Sequence, residues 1–372
     1  EKKVQDLTNS FIKACEEAEQ HFQKNQHERH LSKDYYATAC DVLLSIKDPL
    51  LLTEVKKSID CSGESLVDFV FDVLSLESRT NLLSHIQTVN DEHNSDYSPV
   101  LLTDIDDTLF ASLIDRSFKL HSAYPGVTHL YHYITTNKKS SFVGVLSARP
   151  KLLRKKTRKD LAAGALKGTE FSVIDGDVID LPSAIKGTSL DILTAILGLS
   201  AVDRKSCYAK MANTKFLNYT KIALIYPELK FVFFGDSGQG DVDTAMMMAT
   251  SSQVICSYIH DLRPTGFGGE SLLNDNDRSL LKKRNIFVFD HHCDVLSNDQ
   301  MKKFLTGDQI SQLFEKVESE LEEENDMRGY WEEFKSKFRS DGDESSYGRK
   351  AEGRSSSNKN KKKKKTSKCV IL

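Results

Sequence analysis

Apolar residues at the start of the chain recur every three or four positions. Val4, Leu7, Phe11, Cys15, Ala18 and Phe22 fall on one face of a helix. The same periodicity predicts helices over 36–46, 65–76 and 79–89, and together an all-helical unit over 1–97 that packs its stripes against the neighbouring domain. The period then changes. Val100-Leu101-Leu102, residues 141–146 (SFVGVL), 230–234 (KFVFF) and 286–289 are continuous apolar runs, the signature of strands covered on both faces. The first three run into Asp104, Ser147 and Asp236, polar residues placed where α/β folds bind ligands, at the carboxyl ends of parallel strands. Beyond the last run, 298–324 returns to helical spacing and closes in the mostly acidic stretch 318–326. From 340 onward Ser, Gly, Lys and Arg replace apolar residues, which predicts disorder because too little can be buried to offset chain entropy. The expected layout is thus a helical unit over 1–97, a catalytic domain over 98–295, a helical segment over 296–339 and a tail over 340–372. No internal repeat interrupts it.

Composition adds a division of charge. The chain has 372 residues, 39% hydrophobic and 28% charged, with a net charge of −3. Between Asp341 and Leu372 ten Lys and Arg face four Asp and Glu, so the tail carries +6 and the rest −9. No apolar stretch approaches the roughly 20 residues of a spanning helix. Seven cysteines, at 15, 40, 61, 207, 256, 293 and 369, show no paired spacing and predict reduced, intracellular thiols. His291-His292-Cys293 offers zinc-binding types without a second ligand pair, so a loop after the strand at 286–289 is the expected reading. The sequence begins at Glu1 without a methionine, and an upstream targeting signal stays open.

The chemistry sits at the strand ends. In Asp104-Ile105-Asp106-Asp107-Thr108 two carboxylates two residues apart reach one crevice as the chain leaves a strand. One can attack phosphorus while the other moves the proton. The alternative for this motif alone is an acidic turn after a buried strand. Ser147 supplies a hydroxyl for a phosphoryl oxygen. The glycines of Gly235-Asp236-Ser237-Gly238-Gln239-Gly240-Asp241 let a tight loop bring Asp236 and Asp241 beside the first pair, and such clustered hard oxygens suit Mg2+.

These motifs resemble those of the haloacid-dehalogenase-like phosphatases. More narrowly, DIDDT, Tyr124-Pro125-Gly126-Val127, LSARP at 146–150, a lysine ahead of Tyr226-Pro227 and GDSGQGD resemble the catalytic domain of the actin-patch-protein phosphatidate phosphatases over about 98–295. The resemblance implies an α/β, Rossmann-like parallel sheet of the haloacid-dehalogenase type. It implies Asp104 as nucleophile, Asp106 as general acid and base, Ser147 as phosphate-binding hydroxyl, and Mg2+ held by Asp104, Asp106, Asp236 and Asp241. Lys215, twelve residues before Pro227, matches the phosphate-orienting lysine, with Lys210 and Lys221 as competitors. The pattern departs from the family after Ser147, where Ala148, Arg149, Pro150 and a basic stretch over 151–159 come next. Arg149 can grip a phosphate with its planar fork or pair with an acid, so the departure bears on substrate more than on chemistry.

The tail ends in five lysines, 361–365, followed by Thr366-Ser367-Lys368-Cys369-Val370-Ile371-Leu372. Cys369, two aliphatic residues and a final Leu form a geranylgeranyl-type prenylation signal, and the upstream lysines are its usual companion. One lipid chain anchors marginally, but each lysine near an anionic leaflet adds ~1 kcal/mol, so the two signals together predict stable attachment. The expected partners are a prenyltransferase, an anionic membrane surface and a phosphate-bearing lipid, with no nucleic acid. The expected function is a Mg2+-dependent phosphatase acting on phosphatidate or a related lipid phosphate at the cytoplasmic face of a membrane. The rivals are a phosphatase of soluble or protein phosphomonoesters and an inert, membrane-recruited interaction protein.

Overall fold

The computed structural model describes residues 1–24, 36–91, 99–112, 114–136, 141–149, 154–175, 201–266 and 269–323. The chain divides into two units, Glu1–Glu323 and Glu324–Leu372, and all described residues belong to the first. The expected disordered tail and Cys369 therefore lie outside the described residues.

The described part is α/β. Six parallel strands, β1 (Val100–Thr103), β2 (Val143–Ser147), β3 (Phe171–Asp175), β4 (Phe231–Asp236), β5 (Val254–His260) and β6 (Ile286–Phe289), form a sheet in the order β3-β2-β1-β4-β5-β6. The strand order reverses at β1, so the crevice beside β1 and β4 is the switch point of an open parallel sheet, consistent with a Rossmann-like arrangement. Every residue of β1, β2 and β4 is buried, as continuous apolar runs require. β3 and β5 are not among the expected strands. Ser172 and Asp175 interrupt the apolar run of β3, and Ser257 and His260 break that of β5 although both are buried.

Among the described residues five helices precede the sheet: α1 (Lys2–Lys24), α2 (Ala37–Leu44), α3 (Pro49–Ser62), the short α4 (Leu66–Asp68) and α5 (Leu76–Asp91). The boundaries of α3 are legible locally. Asp48 caps its first turn by accepting from Leu51 N at 2.7 Å, Pro49 stands where no intrahelical N–H is needed, and Gly63 ends it at φ +117. The single helix expected over 65–76 is instead α4 passing into a π turn, Phe69–Val73, that stops before α5. Phe11, Leu43, Leu52, Val70 and Leu82 of these helices join Val100, Leu102, Phe142, Phe231 and Phe233 in one continuous apolar core.

Polar contacts reinforce that junction. Lys56 of α3 is fully buried and donates to Glu228 at 2.9 Å and to the Ile225 carbonyl at 2.8 Å. Asp60 accepts from the Tyr226 hydroxyl at 2.7 Å, and Lys57 pairs with Glu170 at 2.7 Å. The remaining helices are α6 (Val127–Thr136), α7 (Arg154–Ala163), α8 (Ala201–Ile225), α9 (Asp241–Met248), α10 (Asp275–Lys282), α11 (Asp299–Lys302) and α12 (Gly307–Glu323). The helix expected over 298–324 is thus divided into α11 and α12. The expected loop at 291–293 is largely a 3-10 turn, His292–Ser297, with His292 and Cys293 buried.

Candidate active site at the carboxyl ends of β1, β2 and β4

Register brings the predicted residues together. Thr103 lies opposite Val145 on one side and Phe234 on the other, so Asp104, Ser147 and Asp236 emerge at one end of three adjacent strands. The Asp104 N–H still donates to the Phe234 carbonyl at 2.9 Å, which fixes its Cα to the sheet. One residue after Asp106 the chain turns sharply, with Asp107 at φ +57. That left-handed conformation is tolerable for Asp because its carboxylate bonds locally: it accepts from Ser112 N at 2.8 Å and Ile114 N at 3.0 Å.

Two glycines make the second acidic loop possible. A Cβ at Gly235 would lie 2.6–2.8 Å from atoms of the Asp241 side chain, so only a glycine lets that carboxylate fold back on the strand. Gly240 turns the chain at φ +86 into α9, and a Cβ there would lie 2.4 Å from the Tyr208 carbonyl oxygen. Asp241 thereby begins α9 and accepts from Asp236 N at 3.2 Å. Asp236 accepts from Gly238 N at 2.6 Å and Gln239 N at 3.0 Å through one oxygen.

Asp104, Asp236 and Asp241 converge so that one oxygen of each lies within 4.8 Å of the others, and all three are buried. Among the lysine candidates, Lys215 reaches this cluster. It is 1% exposed, 2.8 Å from Asp104 and 2.5 Å from Asp241, whereas Lys210 and Lys221 are part exposed on another face of α8. Lys221 lies over the Phe71 ring. One ammonium thus faces three buried carboxylates. Burial raises the Asp104 carboxyl to about 7 despite Lys215, with Asp241 and Asp106 adding repulsion. Asp236 is pushed well above the usual carboxylate range by burial and by Asp241 and Asp104. Burial would lower Lys215, but Asp104, Asp241 and Asp236 outweigh it and hold the ammonium charged.

The donor set fits a hard divalent cation. Asp236 Oδ2 is buried without a hydrogen-bond partner, and three convergent carboxylate oxygens could hold a metal ion that prefers hard oxygen ligands. The fourth expected ligand is not in the cluster. The Asp106 carboxylate turns to Arg149, whose Nε and Nη2 donate to it at 3.1 and 2.7 Å. Ser147 Oγ accepts from Arg149 N at 3.0 Å, two positions along the backbone. His291, His292 and Cys293 form no metal set among the described residues. His292 Nε2 instead pairs with the Thr108 carbonyl at 3.0 Å, and burial drives its pKa far down.

Two supporting residues carry little signal in the sequence. Gln239 reaches across from the second loop to the Asp106 carbonyl at 3.3 Å and the Asp107 carboxylate at 3.2 Å, joining the two acidic loops. His260 Nδ1 pairs with the Asp107 carbonyl at 2.9 Å. The only sequence signal for Gln239 is its place between two glycines of the loop.

Two arginines of the basic stretch after Ser147 are held within the protein, while Lys155, Lys156 and Lys159 are exposed. Arg154 pairs with Asp68, and Arg158 donates to the Cys61 carbonyl and stacks on the Phe171 ring at 5.2 Å. No protein-family model matches the chain, and neither a curated protein nor a solved structure matches it.

Proposed function

We propose that this chain is a Mg2+-dependent phosphomonoesterase of the haloacid-dehalogenase type that uses an aspartyl-phosphate intermediate. The observation that carries the reading is the buried group Asp104, Asp236, Asp241 and Lys215 at the switch point of the parallel sheet. Asp104, fixed to β1, attacks phosphorus, and the bond from phosphorus to the leaving oxygen breaks. Asp106 gives that oxygen its proton and then takes one from the water that cleaves the acyl-phosphate. Lys215 and Ser147 hold phosphoryl oxygens, and burial excludes bulk water from Asp104. A bound divalent cation supplies the positive charge that three carboxylates and a phosphate dianion need in order to share one crevice.

For the substrate we propose phosphatidate or a related lipid phosphate, supported by the motif resemblance over 98–295 and by the polybasic tail with its cysteine box at 369–372. Arg154 and Arg158 are held by Asp68 and the Cys61 carbonyl and so are not offered to a soluble acidic substrate.

The test is turnover by the purified full-length chain, with Mg2+, of phosphatidate in mixed micelles, inositol phosphates and phosphopeptides. Preference for the micellar lipid supports the reading in full. Preference for a soluble phosphomonoester refutes the lipid part, and no phosphate release from any of them refutes the enzyme.

A further inference from the structure

The Asp106–Arg149 pair conflicts with the work proposed for Asp106, and the conflict says what Arg149 does. The guanidinium donates to both Asp106 oxygens, at 3.1, 2.7 and 2.7 Å. The guanidinium fork occupies one whole edge of the carboxylate and leaves only its remaining lone pairs for a leaving group. Asp106 is better placed to act once Arg149 is taken elsewhere.

The pair is placed for such an exchange. Its side chains are 22% and 19% exposed, against 1% for Lys215 and 7% for Asp104, so it lies nearer solvent than the buried cluster, where an arriving phosphate can reach it. Arg149 is also tied to the phosphate end of the site. It lies two residues beyond the last residue of β2, and its backbone N–H donates to Ser147 Oγ. A phosphate offers the fork the same two-oxygen edge as a carboxylate, with a second negative charge.

We infer that Arg149 is a substrate ligand that trades the Asp106 carboxylate for two phosphoryl oxygens, so that arrival of the phosphate frees Asp106 for proton transfer. The inference rests on the phosphomonoesterase reading and deepens it. Before binding, Arg149 keeps Asp106 turned away. After binding, it grips the group to be transferred. Asp106 is therefore a competitor of the phosphate for Arg149, and that competition is measurable without turnover.

The experiment is a double-mutant cycle on the affinity of the full-length chain for inorganic phosphate, at saturating Mg2+, by calorimetry. Arg149→Gln should weaken binding about tenfold, the scale of a hydrogen bond to a charged group. Asp106→Asn should tighten it about tenfold, because an amide competes poorly for the guanidinium. In the Arg149→Gln background the gain from Asp106→Asn should shrink to about twofold or less, the two effects being carried by one contact. The alternative is that Asp106 merely repels phosphate. In that case its removal would tighten binding as much or more without Arg149, and this result overturns the inference. Turnover of a phosphomonoester by the wild type with an additive cycle would overturn the inference alone. A wild type that neither binds phosphate nor releases it from any substrate would overturn the phosphomonoesterase reading as well.

Discussion

Lys56→Met should destabilise the fold severely, and the structure sets the scale. The ammonium is fully buried and donates to Glu228 at 2.9 and 3.2 Å and to the Ile225 carbonyl at 2.8 Å, beside the Tyr226 ring at 4.8 Å. Glu228 is 2% exposed, and its other partner is the Thr53 hydroxyl at 2.6 Å. Burial pushes the Lys56 pKa down although Glu228 and Asp60 oppose the shift, so the pair is held at the edge of what its attraction can offset. Methionine fills a similar volume, which leaves one dominant effect, an uncompensated carboxylate in the interior. Such a change costs about 3–5 kcal/mol. At roughly 2–4 °C per kcal/mol for a large domain, the melting temperature should fall by roughly 6–20 °C.

The assay is far-UV circular dichroism on heating, since the only tryptophan, Trp331, lies outside the described residues. Lys56→Met with Glu228→Met should recover most of the loss, because it removes the Glu228 charge together with its partner. Turnover below the melting transition should change little, since Lys215 is anchored by its own contacts to Asp104 and Asp241. A single variant that melts within about 2 °C of wild type would refute the reasoning. So would a double variant no better than the single one.

Asp104→Asn should abolish turnover because an amide cannot form the acyl-phosphate, while Asp106→Asn should still allow phosphorylation of Asp104 by a substrate with an activated leaving group; rapid-quench trapping separates the two. Asp236→Ala should raise the Mg2+ concentration needed for half-maximal activity at least about tenfold, read by metal titration, since it removes a buried ligand whose Oδ2 has no other partner. Asp60, raised to about 6 from 3.8 chiefly by burial and partly restored by Leu66 N and Tyr226, costs the fold stability as it ionises. The wild type should therefore lose about 3 kcal/mol relative to Asp60→Asn as pH rises from about 4 to above about 6, and nothing below that window, by urea titration. Cys369→Ser should move the protein from membranes to the soluble fraction without changing turnover of a small soluble phosphomonoester, as fractionation in high salt would show.

The division between what the sequence shows and what it hides is physical. β1, β2 and β4 are legible because a strand covered on both faces needs an unbroken apolar run, and β6 because its four residues are all apolar, whereas the Ser257 and His260 positions interrupt that signal in β5. The site residues on strand ends are legible because chemistry and spacing coincide within a few positions. Lys215 is only one of three candidates for the opposite reason. At 3.6 residues per turn Lys210 and Lys221, eleven positions apart, fall on nearly the same face while Lys215 points to another, and which face meets the crevice is decided by packing against the sheet. The basic stretch after Ser147 invites a substrate reading because its partners are remote. Asp68 is 86 positions from Arg154 and Cys61 is 97 from Arg158, beyond any local pattern.

The charge on the cluster links the fold to the proposed chemistry. A crevice with three buried carboxylates and one ammonium is a poor way to stabilise a protein, because desolvation outweighs the attraction a single Lys215 returns. The cost is visible in Asp104 and Asp236, both pushed toward the neutral form. Yet the neighbouring structure maintains the arrangement rather than relaxing it. Gly235 keeps the space for Asp241, Gly240 turns the chain so that Asp241 opens α9, and the Asp104 backbone stays bonded to β4. Local choices that each accept strain or repulsion in order to converge the same three oxygens indicate a functional demand, not a structural one. On the proposed reading, the excess negative charge draws in the cation that the phosphate dianion then needs beside Asp104.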